Sequence, residues 1–289
     1  MNEREWIRRL RTRAAGADHL VRGIGDDCAV LRPPAGTELL VTTDLFIEGT
    51  HFRRRSAPPR ALGWRALARA LSDVAAMGGT PLAYFVSIAV PEWAWGPWLK
   101  DFYKGMSESG SRTGAVLAGG DTTRARTLTA DLIVLGHAPA GRALRRDGAK
   151  TGDAIYVSGE LGVEAPGKRI RFEPRLALGR YLLENRLASA CMDVSDGLAM
   201  DLSRLCEESG VAAALASPLP LAQGVAVERA LTHGEDYELL FTVPSRQRVP
   251  ATFNGVPLTR VGTIVAGKAG RVTLDAKPLA ARGWDPFKL

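Results

Sequence analysis

Aspartates close to glycine, serine or threonine recur along this chain, and they are the residues best suited to bind a metal ion. The group comprises Asp26, Asp27, Asp44, Asp121, Asp193 and Asp196. Two carboxylates about 4 Å apart repel each other by roughly 4 kcal/mol at an effective dielectric near 20, so several that converge require a bound cation. Oxygen ligands from Asp and Thr, without clustered His or Cys, select Mg²⁺ or Ca²⁺ over zinc.

Asp73 differs from these residues because it lies inside a helical pattern. From Ala61 to Met77, apolar residues recur every three or four positions and glycines follow, which predicts a helix. The neighbours of Asp73 one turn away form a semi-apolar flank, namely Ala66, Ala70 and Met77. A solitary carboxylate is disfavoured there, so we expect Asp73 to have a cation as its partner.

Each aspartate also has an ordinary structural explanation. Asp196 fits a helix N-cap, and Asp26, Asp44 and Asp121 fit turn positions. That explanation suffices for any one of them but is less satisfactory for all together. Because Mg²⁺ held by carboxylates is the usual partner of a nucleotide polyphosphate, the set predicts an ATP-dependent phosphotransferase.

The predicted elements place most of these aspartates at strand ends. Strand 39–43 leads into Asp44, and strand 115–118 leads into Gly119-Gly120-Asp121. We expect strand 128–135 to pair with 115–118. Strands and helices mix without a strict βαβ rhythm or a dinucleotide fingerprint, which favours an α+β fold. Glycines and a proline between 136 and 141 mark the predicted boundary between domains 1–138 and 139–289.

Composition sets broad limits. The 289 residues suit two modest domains or one large one, with 46% hydrophobic and 24% charged residues. The net charge of +7 comes almost wholly from arginine; it favours anionic ligands, and a GC-rich genome explains it equally well. Three cysteines without a CxxC pair and no apolar leader predict a cytoplasmic location. No stretch is long and apolar enough for a membrane span.

One segment nearly spells a P-loop, and we reject it. Residues 162–169 read Gly-Val-Glu-Ala-Pro-Gly-Lys-Arg, so Arg169 replaces the hydroxyl residue that holds Mg²⁺. Phosphates are expected instead at Gly119–Gly120, at Arg146 and at the N-terminus of the helix after Ser195, where free N–H groups attract anions.

Six ordered motifs make the chain resemble the thiamine-monophosphate kinase family, within the aminoimidazole ribonucleotide synthase-like superfamily. They begin at Gly23 (GIGDDCAV), Thr42 (TTD, with His51-Phe52 beyond), Leu71 (LSDVAAMG), Gly119 (GGDTTR), Asp193 (DVSDGL) and Gly234 (GEDYEL). The resemblance implies a two-domain α+β fold whose N-terminal domain dimerises through its sheet and whose C-terminal α+β domain covers the nucleotide. It implies a homodimer that uses ATP, thiamine phosphate and several Mg²⁺ ions, with no nucleic-acid or membrane partner.

The resemblance also implies roles for individual residues. Metal ligands, direct or through water, would be Asp27, Thr42, Thr43, Asp44, Asp73, Asp121, Asp193 and Asp196. ATP would meet Tyr103, Gly120, Asp121, Arg146 and Ser195, with Asp44, Asp121 and Arg146 central to catalysis. Thiamine phosphate would meet His51, Glu235, and Phe287 or Trp284.

One departure from the family pattern lies between Leu161 and Phe172. This segment is short and charged where the family has a Gly/Ala-rich loop and a longer helix, which affects the expected substrate affinity. This departure leaves open another ATP-dependent enzyme of the superfamily with a different acceptor. A catalytically silent nucleotide-binding protein is a separate alternative, against which the retained acidic positions argue.

Overall fold

A computed structural model describes residues 3–14, 16–25, 27–163 and 170–287. Asp26 and residues 164–169 of the rejected P-loop lie outside the described residues. The chain divides into two compact units: unit 1 comprises residues 1–74, 79–141 and 170–173, and unit 2 comprises 75–78, 142–169 and 174–289. The division at 138/139 stays a prediction from the sequence.

Unit 1 is built on a four-stranded sheet of order β3-β6-β4-β5, beside a two-stranded ribbon β1-β2. Its elements are α1 (Glu3–Arg13), β1 (Leu20–Arg22), β2 (Val30–Leu31), β3 (Thr37–Ile47), α2 (Pro59–Ala76), β4 (Thr80–Val90), a 3₁₀ turn (Glu92–Ala94), α3 (Pro97–Thr113), β5 (Val116–Arg124) and β6 (Thr129–Pro139). The expected pairing of 128–135 with 115–118 is wrong. β6 pairs with β3 and β4, and β5 instead joins β4 in parallel.

The side chains of β3 alternate between two environments. Leu40 and Phe46 are buried, whereas Leu39, Val41 and Leu45 are 48%, 64% and 49% exposed. This is the period of two that a strand imposes. One face of the sheet therefore packs against the core, and the other presents an apolar stripe to solvent.

Unit 2 is built on an eight-stranded sheet with the path β14-β13-β9-β12-β7-β10-β8, and β11 joins β12 at the side. Its elements are β7 (Ala154–Ser158), α4 (Leu176–Glu184), β8 (Ala190–Asp193), α5 (Leu198–Ser209), β9 (Ala212–Leu215), α6 (Val227–Thr232), β10 (Leu239–Val243), β11 (Thr252–Phe253), β12 (Val256–Val265), β13 (Val272–Leu274) and β14 (Lys277–Leu279). Apolar residues of α5, α6 and the sheet form its core. No helix in the described ranges is long and apolar enough to cross a membrane.

Candidate active site

Thr42 and Asp44 occupy alternate positions of β3 and contact α2. The Thr42 hydroxyl donates to Asp73 Oδ2 at 2.5 Å, and Arg69 Nη2 lies 3.1 Å from Asp44 Oδ1. The cation next to Asp44 is thus an arginine that is itself only 8% exposed. Asp73 has the Thr42 hydroxyl as one partner. Three of the predicted ligands, Thr42, Asp44 and Asp73, therefore lie where β3 faces α2.

Two expectations about β3 need correction. Asp44 does not end the strand, since pairing with β6 continues to Ile47; the alternation of apolar residues runs on past the aspartate. Thr43 occupies the intervening position and is exposed. Because successive side chains of a strand point to opposite faces, its side chain lies away from Thr42 and Asp44.

A second group of predicted residues lines a cavity of about 560 Å³ in unit 1. Asp27, Tyr103, Gly120 and Asp121 all contribute to its wall. Asp121 is exposed and lies within β5, not after it. A Cβ at Gly120 would lie 2.1 Å from the Val86 carbonyl oxygen, and its φ is 144°, so only glycine fits.

Tyr103 is a buried wall residue of this cavity. Burial raises the pKa of its phenol, with a hydrogen bond to Thr122 acting in the opposite direction. The hydroxyl therefore remains protonated at neutral pH and available as a donor.

The described residues contain no group of three His, Cys, Asp or Glu side chains that could by itself hold a metal ion. Their donor chemistry still fits Mg²⁺, because carboxylate and hydroxyl oxygens are its preferred ligands. Mg²⁺ usually takes only one or two carboxylates and completes its shell with water and substrate phosphates. The contact of Asp73 with the Thr42 hydroxyl brings one carboxylate and one hydroxyl oxygen together, which suits that arrangement.

The loop after β8 is held by an aspartate that the sequence analysis missed. Oδ2 of Asp201, a fully buried residue of α5, accepts the backbone N–H groups of Ser195, Asp196 and Gly197 at 2.9–3.0 Å. These three N–H groups are therefore already bonded within the chain, and the phosphate expected at the helix N-terminus stays a prediction. A carboxylate of the chain already occupies the N-terminus of α5, and Ser195 can offer its side chain.

Arg204 of α5 adds an ion pair to this loop. Its guanidinium contacts Asp196 and lies 3.3 Å from Asp201 Oδ1. Asp193 is 3% exposed at the end of β8. The predicted metal ligand Asp196 thus contacts Arg204 of the helix that follows it. Asp44 contacts Arg69 of its following helix, α2, in the same way.

The GEDYEL motif packs directly against this loop. Glu235 N donates to Ser195 O at 2.7 Å, and Tyr237 N donates to Val194 O at 2.9 Å. Glu235 and Tyr237 have φ values of 69° and 51°, a left-handed conformation that costs about 1 kcal/mol or more for each non-glycine residue. Unit 2 therefore brings the predicted ATP residue Ser195 and the predicted acceptor residue Glu235 together.

The other predicted residues occupy separate positions. The backbone N–H of Trp284 donates to Asp196 O at 2.8 Å, so the C-terminal segment lies beside the loop after β8. Phe287, by contrast, is 93% exposed. Arg146 is exposed in unit 2. In unit 1, His51 Nδ1 accepts the Ile47 N–H at 3.0 Å, so the ring also closes the turn after β3.

The pKa of Asp201 leads to a stability prediction. Burial raises this pKa to about 6, and the backbone N–H donors oppose the shift. Between pH 4 and 6 the unfolded chain ionises this group before the folded one does, so the free energy of unfolding falls as pH rises, by on the order of 3 kcal/mol. Urea unfolding at pH 4, 5, 6 and 7 should show this fall, and Asp201→Asn should lack it. Equal pH slopes in the two proteins would contradict the prediction.

Comparison with known proteins first identifies the chain as an AIR synthase related protein and then assigns it to a family within that class. Residues 25–138 match the N-terminal domain model of AIR synthase related proteins, and residues 150–275 match the C-terminal one. The chain is 37% identical to thiamine-monophosphate kinase of Salmonella typhimurium, covering 92% of this chain and 91% of the relative. The Bacillus subtilis enzyme is 31% identical over the full length of both chains. The chain belongs to the thiamine-monophosphate kinase family.

Solved structures agree with this assignment. The crystal structure of thiamine-monophosphate kinase from Stenotrophomonas maltophilia has a TM-score of 0.82 and 34% identity, covering 95% of this chain and 96% of that one. AaThiL complexed with AMPPCP and TMP has a TM-score of 0.79 and 29% identity, covering 98% and 95%. The predicted two-domain α+β fold of the aminoimidazole ribonucleotide synthase-like superfamily is confirmed.

Proposed function

We propose that this chain is a thiamine-phosphate kinase, which transfers the γ-phosphoryl group of ATP to thiamine phosphate and yields thiamine diphosphate and ADP. The observation that carries the proposal is the likeness to thiamine-monophosphate kinases along the chain, at 37% identity to the Salmonella relative. It places the protein in thiamine diphosphate biosynthesis. The cytoplasmic location stays a prediction from the sequence.

The acceptor chemistry explains why no general base is needed. A phosphate monoester has a second pKa of about 6 and is largely ionised at pH 7, so its oxygen can attack without losing a proton to the protein. Phosphoryl transfer then depends on alignment and on neutralising negative charge. Arg146 supplies positive charge, and Ser195 and Tyr103 supply hydrogen-bond donors to ATP.

Mg²⁺ is the metal that fits the donor set. Its proposed ligands, direct or through water, are Asp27, Thr42, Asp44, Asp73, Asp121, Asp193 and Asp196, with Thr43 less well placed. Bound there, Mg²⁺ would offset the charge of the phosphates. In unit 1 these oxygens are held on β3, α2, β5 and, at Asp27, the segment between β1 and β2; in unit 2 they are held at the end of β8 and in the loop that follows it.

Glu235 and an aromatic residue form the proposed contact with the thiazolium cation of the acceptor. A carboxylate and an aromatic face both attract an organic cation. Trp284 is the better placed aromatic, since its backbone is tied to Asp196 and its side chain is 47% exposed. His51 is proposed to meet the acceptor as well.

The test is an assay of the purified protein with MgATP and thiamine phosphate. ADP and thiamine diphosphate should form in equal amounts. A panel that includes unphosphorylated thiamine and the acceptors of other superfamily enzymes separates this function from a different acceptor. Binding of ATP without ADP release from any acceptor would indicate a silent nucleotide-binding protein.

The exposed stripe on unit 1 supports a homodimer formed through this sheet. Leu39, Val41 and Leu45 present an apolar surface, and apolar surface of this kind marks an interaction site. Val41→Glu should convert a dimer into a monomer, measured by light scattering during size-exclusion chromatography. Val227→Glu, at a residue 41% exposed in α6, is the matched control and should leave the mass unchanged. An unchanged mass for Val41→Glu would contradict this interface.

A further inference from the structure

Two buried carboxylates follow Glu235 in the GEDYEL motif. Asp236 is 5% exposed and Glu238 is 1% exposed. Asp236 Oδ1 accepts the N–H groups of Gly162 at 2.8 Å and Val163 at 3.1 Å. Buried carboxylates are retained only with such partners. Asp236 thus joins the GEDYEL motif to the start of the segment 161–172.

Glu238 makes a second connection to the same side of unit 2. It accepts the Ser158 hydroxyl at 2.6 Å and Arg175 Nε at 2.6 Å. The Ser158 hydroxyl oxygen in turn accepts the Leu239 N–H at 2.9 Å. The two ends of the connection between β7 and α4 are therefore both bonded to the motif.

The motif has a different set of partners through its backbone. The N–H groups of Glu235 and Tyr237 are bonded to the Val194–Ser195 carbonyls, while the side chains of Asp236 and Glu238 reach 158–163 and 175. Left-handed non-glycine residues persist only where the surrounding structure over-determines them. Bonds on both sides of the chain provide that constraint at Glu235.

We propose that Asp236 is a positioning residue for the acceptor: its bonds to Gly162 and Val163 fix the backbone conformation that orients the Glu235 carboxylate. This rests on the proposed function, because it takes Glu235 as the acceptor contact. The bonds are made at Gly162 and Val163, soon after the end of β7.

The test compares Asp236→Ala and Asp236→Asn with the unaltered enzyme. Loss of two charge-assisted hydrogen bonds in Asp236→Ala should raise KM for thiamine phosphate about tenfold, with kcat and KM for ATP within about twofold. Asp236→Asn keeps an acceptor oxygen without the charge and should raise the acceptor KM only about threefold.

Asp153 provides the matched control. It is also 5% exposed in unit 2, and it also accepts two hydrogen bonds, from Lys150 N and the Ser189 hydroxyl. Asp153→Ala and Asp153→Asn should lower the thermal midpoint by a similar amount and leave the acceptor KM unchanged. If both aspartates change KM equally, Asp236 has only a structural role and the proposal is overturned. Should Asp236→Ala not fold, the two asparagine variants decide the comparison.

Amide hydrogen exchange gives a readout that does not depend on the substrate. Asp236→Ala should speed exchange at least tenfold in both 159–163 and 234–238, whereas Asp153→Ala should change neither. Unchanged exchange at 234–238 would overturn the proposal whatever the acceptor proves to be. An enzyme that ignores thiamine phosphate but shows the coupled exchange would refute the proposed function and support the positioning of this loop.

Discussion

Asp121→Asn is expected to lower kcat/KM for thiamine phosphate about 10³-fold, with the thermal midpoint within about 2 °C of the original. Asp121 is exposed on β5 and accepts the Thr122 N–H at 2.8 Å. Asparagine has the same size and keeps an acceptor oxygen. The substitution therefore removes charge from the cavity wall without removing core packing.

Asp101→Asn is the control for this experiment. Asp101 is exposed on α3 and has no proposed role in metal binding, so its loss of charge should leave turnover unchanged. Both variants are assayed over a range of Mg²⁺ concentrations. A near-normal rate of Asp121→Asn at saturating Mg²⁺ would show that this carboxylate does not bind the metal.

Asp44→Asn should lower kcat/KM for thiamine phosphate by a similar factor. Because Asp44 also forms an ion pair with Arg69, this variant needs a separate control. Arg69→Met removes the same pair while keeping the carboxylate. If Asp44 binds metal, Arg69→Met retains most of the turnover and Asp44→Asn does not. Equal losses in the two variants would assign the effect to the ion pair.

Short motifs and helical periodicity were enough to predict much of this site. The repeat that predicted a helix at 61–77 corresponds to α2 at Pro59–Ala76, so Asp73 was placed on the right element. The interior position of Asp44 was harder to predict, because an aspartate in a strand ordinarily indicates its end. The pairing of β3 with β6 through all eleven residues overrides that local preference.

Arg69 and Asp201 were missed for different reasons. The burial of Arg69 depends on how α2 packs in unit 1, and no local pattern in the sequence reveals it. Asp201 did give a signal, since it is an acidic residue in the first turn of α5, where the helix dipole favours a negative charge. Considering that charge would have shown that the helix N-terminus already has an anion.

Gly234→Ala is expected to lower kcat/KM at least 10²-fold, because this glycine sets the separation of two loops that carry site residues. An added Cβ would lie 1.9 Å from Ser195 O and 2.8 Å from Asp196 Cα. Both are backbone atoms, so no side-chain rotation can relieve the contact. The loops must move apart by about 1 Å, a displacement that can cost 10²-fold in a reaction governed by alignment.

The same overpacking should lower the free energy of unfolding by about 1–3 kcal/mol, so turnover is measured well below the thermal midpoint of the variant. Gly16→Ala is the control, since no atom lies within 4 Å of the added Cβ there. If Gly234→Ala folds and retains normal turnover, the spacing between Ser195 and Glu235 is not what aligns the reactants. If turnover falls while ATP binding is unchanged, the displacement acts on Glu235, the proposed acceptor contact, and not on Ser195, to which Glu235 is hydrogen-bonded.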